Sequence, residues 1–113
     1  MKCINWSKEL PIAITVCDKK GVVLEMNEKS ISTFLKDGGK NLINTSMLDC
    51  HPQKAREKIE DLLKTQSSNV YTIEKNGMKK LIYQTPWYEN GLYKGLVELS
   101  FEIPFEIPHF NRE

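Results

Sequence analysis

Two histidines and three cysteines are all that this chain of 113 residues holds of those metal-binding types. No CxxC or HxxxH pair occurs among them, which argues against a structural zinc site. Cys3, Cys17 and Cys50 are odd in number and widely spaced, a pattern of reduced thiols and not of a disulfide framework. The expected setting is therefore cytoplasmic. Charge of one sign is also lacking. The 16 Lys and Arg residues face 15 Asp and Glu, for a net charge of +1, so no bulk field favours nucleic acid or an anionic membrane. No apolar run approaches the ~20 residues that span a bilayer, and Met1 to Leu10 lacks the apolar centre of a signal peptide. Neither a nucleic-acid nor a membrane partner is expected.

What is present fits one modest core. Ile12, Ile14 and Val16 alternate with Ala13, Thr15 and Cys17, which reads as a strand over 11–17. Asp18-Lys19-Lys20-Gly21 is a turn signal and Val22 to Met26 a second strand. Asn27 is a good N-cap for a helix running from Glu28 to Leu35, which Gly38-Gly39 ends. Asn41 to Asp49 reads as irregular chain or one short helical turn. A longer helix follows, with Ala55, Ile59, Leu62 and Leu63 on one stripe and its charges on the wet side.

The last third reads as strands. Val70 to Lys75 runs into Asn76-Gly77, Lys79 to Tyr88 runs into Asn90-Gly91, and a final strand follows. In that last strand Tyr93, Gly95, Val97, Leu99, Phe101 and Ile103 share one side, the expected buried face. Lys94, Glu98, Ser100 and Glu102 share the other, expected to be wet, with Leu96 as the one interruption. The fold class is α+β, a five-stranded antiparallel sheet with helices covering one face. Its expected bounds are an N-terminal extension over 1–10, a domain over 11–104 and a tail over 105–113.

Within this order, Leu10-Pro11, Asp18, Gly21 and Asn27 punctuate the first two strands and the following helix. The set resembles a PAS domain, over residues 8 to 104. The resemblance implies a sensory and interaction module, not an enzyme. Such modules bind a small molecule between sheet and helices, or pair with a second copy, and signal to an output domain or protein. No kinase, cyclase or DNA-binding segment fits within this length, so the chain reads as an excised domain or a free-standing module.

"LDCHPQKAREKIEDLL" is where cofactor-binding members of that family place their chemistry, and it holds His51. If the imidazole points inward with Ala55 and Ile59, it is placed to ligate the iron of haem b axially. Tyr83, Trp87, Val97 and Leu99 are then the expected far walls, and Met47 and Met78 the candidates for a second axial ligand. The competing reading makes Pro52 the first helical residue and His51 the N-cap. Cys50 lacks the surroundings of a flavin-binding cysteine; it reads as an ordinary buried thiol, with a redox-sensing thiol as the alternative. With no orienting carboxylate evident, Cys50 and His51 do not make a nucleophile–base pair. No catalytic residue is assigned. The alternative function is a cofactor-free dimerisation module, using Leu92, Leu96 and the apolar arm Phe105 to Phe110 of the tandem "FEIPFEIP".

Overall fold

A computed structural model describes residues 4–113, apart from the side chain of Cys50. The expected order is present. Strand β1 is Ala13–Asp18, β2 Val23–Met26 and helix α1 Glu28–Thr33. Three short 3-10 turns follow at Leu35–Asp37, Gly39–Leu42 and Met47–Cys50. Helix α2 is Gln53–Thr65, and β3 Asn69–Lys75, β4 Met78–Glu89 and β5 Leu92–Ile103 close the chain. The five strands form one antiparallel sheet in the order β2-β1-β5-β4-β3.

Local chemistry accounts for each joint. Asp18 Oδ1 accepts from the amides of Lys20 and Val22, at 2.9 and 3.0 Å, and Gly21 supplies the positive φ of the hairpin. Asn27 caps α1 by accepting from Ser30 N at 3.0 Å. The same Oδ1 accepts from Ile14 N, while Nδ2 donates to the carbonyls of Ser7 and Ile12. One buried amide thus ties the N-terminal segment, β1 and α1 together. The chain after α1 is pinned to β2 by Asn44 N to Val23 O, Val23 N to Thr45 O and Met47 N to Gly21 O, all at 2.7–2.8 Å. Ile59 and Leu62 of α2 pack on Cys17, Val23, Met26, Met47 and Leu96 to form the core.

The structure corrects the expected facing of the sheet. Leu81, Tyr83, Thr85, Val97, Leu99 and Phe101 do share a face, as their pairing requires, but it is the face away from the helices. The helices cover Ala13, Thr15, Cys17, Ile82, Gln84, Leu96, Glu98 and Ser100, all buried. Glu98 and Ser100 are therefore inside, and Leu96 is a core residue rather than an interruption. Tyr93 also departs from its expected company. A bulge between Trp87 and Tyr88 gives β5 one extra residue. Tyr93 then turns to the helix side, where its hydroxyl donates to Leu63 O at 3.0 Å.

Candidate functional site

The site is built on a polar row that crosses the covered face. Thr15 on β1 stands opposite Glu98 on β5, Glu98 opposite Gln84 on β4, and Gln84 opposite Asn69 on β3. Asn69 Nδ2 donates to Gln84 Oε1 at 2.9 Å, and Gln84 in turn hydrogen-bonds the Glu98 carboxyl. Thr15 pairs with the hydroxyl of Ser30 on α1. Buried polar groups are retained only when satisfied, and these are. Burial pushes the Glu98 carboxyl above its ordinary range, opposed by the neighbouring His51 and by Gln84. Burial, followed by the Glu98 charge, also raises the Tyr71 phenol.

Above this row, between α2 and the sheet, lies a half-open groove of about 390 Å³. His51, Lys54, Ala55, Lys58 and Ile59 form the helix wall, and Asn69, Tyr71 and Gln84 the sheet wall. His51 does not cap α2. Pro52 is the N-cap, and His51 ends the preceding 3-10 turn. Its Nδ1 lies 2.7 Å from the Met47 carbonyl. A carbonyl can only accept, so Nδ1 carries the proton and Nε2 is the lone-pair nitrogen of the neutral ring.

Of the expected pocket residues, the structure brings together His51, Ala55 and Ile59. It places the other four elsewhere. Tyr83, Val97 and Leu99 are on the outer face, where Val97 and Leu99 line a shallow hollow with Trp6, Ile14 and Val16. Trp87 sits by the β1–β2 turn, among Asp18, Lys19, Lys20, Leu24 and Lys94. Lys54, Lys58, Asn69, Tyr71, Gln84 and Glu98 were missing from the expected site. One signal pointed to part of this set. The two-residue turn Asn76-Gly77 fixes the β3–β4 register, and that register sets Asn69 against Gln84.

His51 has the donor chemistry of a haem ligand, with Nδ1 oriented by a carbonyl as metal-bound imidazoles are. The surroundings do not fit the group. On the Thr15, Met26, Phe34, Leu42 and Met47 side of His51 the space is about 30 Å³, enough for one water and far below the ~300 Å³ at which ligand pockets begin. The larger groove has the polar Asn69–Gln84 pair on its sheet side instead of an apolar slot. Met47 is buried in the core and Met78 lies exposed at the β3–β4 turn, so neither is placed opposite His51 as a second ligand. Among the described residues no group of three His, Cys, Asp or Glu side chains could hold a metal ion. The redox reading of Cys50 falls on a side chain outside the described residues. Cys17 is a buried thiol whose pKa burial pushes up to about 11. No helix among the described residues is long and apolar enough to cross a membrane.

No family model matches the sequence, and no curated protein does. Solved structures do. The chain is similar to a sensory box sensor histidine kinase from Vibrio cholerae, with a TM-score of 0.63 and 17% identity over 86% of each chain. The PAS domain of BvgS from Bordetella pertussis gives a TM-score of 0.63 and 17% identity, covering 88% of this chain and 82% of that one. The Aer2 receptor from Vibrio cholerae, a dual PAS-haem oxygen sensor, gives 0.61 and 13%, covering 82% and 95%. At such identities the likeness speaks for the fold, and the fold is that of a PAS domain.

Proposed function

We propose that this PAS-fold chain is a non-enzymatic sensory module. Its signal enters as a small polar ligand in the groove between α2 and the sheet. It leaves through the outer face, where a second copy or an output partner docks. One observation carries this reading: polar side chains are buried beneath the helices while apolar ones lie on the outer face. The covered face holds Thr15, Gln84, Glu98 and Ser100, where a closed core would hold apolar side chains. The outer face holds Ile14, Val16, Val97 and Leu99, where a monomer would be polar. A polar lining under a helix suits a ligand that competes with water by hydrogen bonding. Ligand contact with Ala55 or Lys58 acts directly on α2, and contact with His51 acts on the turn leading into it; a shift of that helix is the two-state element a partner reads.

Haem b through His51 is not part of this reading, although one structural neighbour is a PAS-haem sensor, because the groove as built suits a polar ligand. The test is a backbone-amide NMR screen of small anionic, neutral and cationic compounds against the whole chain. Compounds that move the signals of Ala55, Tyr71 and Gln84 together, and lose that effect in Gln84→Leu, support the groove. If no class of compound moves them, the chain is a dimerisation module without a ligand.

A further inference from the structure

The groove has an uneven electrical character. Its helix wall presents Lys54 and Lys58, one turn apart, with His51 just ahead of the helix. No acidic side chain is among its lining residues. The Glu98 carboxyl beneath the sheet wall is engaged with Gln84 and pushed by burial toward its neutral form. Its hydrogen-bonding capacity is uneven as well. The Gln84 Oε1 acceptor is taken by Asn69. Asn69 retains a second Nδ2 hydrogen, Tyr71 a hydroxyl hydrogen and each lysine three. The spare groups are thus mostly donors, while Ala55, Ile59 and the Tyr71 ring supply an apolar strip between them.

We propose that the groove binds a small organic acid, with its carboxylate held between Lys54 and Lys58 and its apolar body lying along Ala55, Ile59 and Tyr71. This rests on the groove being the ligand site and names the ligand's class. The volume of about 390 Å³ holds roughly a dozen non-hydrogen groups at ~30 Å³ each. That is the size of an aromatic or branched aliphatic acid. A cationic ligand meets two lysines with no carboxylate on the lining to offset them. A neutral one leaves the lysines unused. The ion pair forms in a half-open groove, where attraction exceeds that at a free surface but remains sensitive to salt.

The test titrates the whole chain with phenylacetate and with phenylacetamide, which match in shape and differ in charge. Binding is read by calorimetry and by the amide signals of Ala55, Tyr71 and Gln84. Phenylacetate is expected to bind at least about tenfold more tightly, with the preference shrinking as salt rises from ~0.02 to ~0.5 M. Lys54→Gln with Lys58→Gln lowers the acid to the level of the amide. Both lysines are exposed, so the melting temperature stays where it was. The acid assignment is overturned if the amide binds as well as the acid, if the double variant keeps the preference, or if phenylacetate fails to bind. Amide binding at these signals would leave the ligand groove standing while removing the acid. Silence from every compound, charged or neutral, removes both.

Discussion

Trp87 on β4 donates its indole N–H to the carbonyl of Cys17 on β1, 3.0 Å away, although β5 runs between the two strands. The bond spans that strand because Gly95 lies directly between them, paired with Trp87 on one side and Asp18 on the other. A Cβ on Gly95 would overlap the Cys17 carbonyl oxygen and the Asp18 backbone, and its φ of +147° already disfavours any other residue. Gly95→Ala is expected to cost about 2–4 kcal/mol, read as a lower urea midpoint. Trp87→Phe, which removes only the donor, should cost about 1 kcal/mol.

Asn27 offers a second local test. It is buried and makes four hydrogen bonds through one amide group, to Ser30, Ile14, Ser7 and Ile12. A cap alone is worth about 1 kcal/mol. Asn27→Ala also strands the Ile14 amide and two carbonyls, so a loss of about 2–4 kcal/mol is expected. Asn27→Asp keeps the two accepting contacts and loses the two donating ones, and should fall between wild type and alanine in a denaturation series.

Glu98 makes stability depend on pH with a definite sign. Its carboxyl is raised above the ordinary 4.5, so the folded chain keeps a proton that the unfolded chain has already released. Its contribution is therefore fully present below about pH 4.5 and is lost as pH rises through the raised folded value. Urea midpoints for the wild type should decline over that interval. Glu98→Gln, which keeps the shape and a hydrogen bond to Gln84, should flatten the decline. An unchanged slope in the variant would mean that Glu98 ionises as freely inside as outside.

The outer face predicts association. Val97 and Leu99 border a hollow with Ile14 and Val16, in the middle of the sheet. If this face pairs with a second copy, Leu99→Arg should convert a dimer to a monomer in sedimentation velocity, with little change in the circular dichroism of the monomer. Tyr88→Arg, exposed beyond the bulge on the helix side, is the matched control and should leave the dimer intact.

Haem supplies a negative expectation. His51 presents one good nitrogen, but the space beyond it is about 30 Å³. Titration should give no tight, saturable Soret band that His51→Ala abolishes. Such a band would show that α2 moves away from the sheet far enough to admit a porphyrin.

The order of elements was legible because its signals are local. Asn27, Gly21 and the Asn-Gly pairs act within a few residues of themselves, and each does in the structure what its chemistry implies. The side of the sheet that the helices cover was not legible. Alternation reports a period of two, and the more apolar phase reads as the inside. Here the inside carries Glu98, Gln84 and Thr15, so that inference gave the opposite sign. Leu96, alone among polar neighbours in its phase, was the residue that marked the true interior. The candidate site suffered accordingly. Ala55 and Ile59 face the groove because helix periodicity and the core stripe agree there. Those on β4 and β5 were grouped correctly and assigned to the wrong side. The bulge at Trp87–Tyr88 has no sequence signal beyond Gly95, and it alone decides where Tyr93 points.

The backbone contacts that hold residues 44–47 against β2 also decide how the sheet can grow. Val22 and Ser46 form a bridge, and the amides and carbonyls around Val23 are taken by Asn44 and Thr45. That margin is closed to a foreign strand. At the other margin β3 has no strand on its outer side. An extended segment that lengthens this sheet, whether from another molecule or in an aggregate, finds its uncovered margin along Asn69–Lys75.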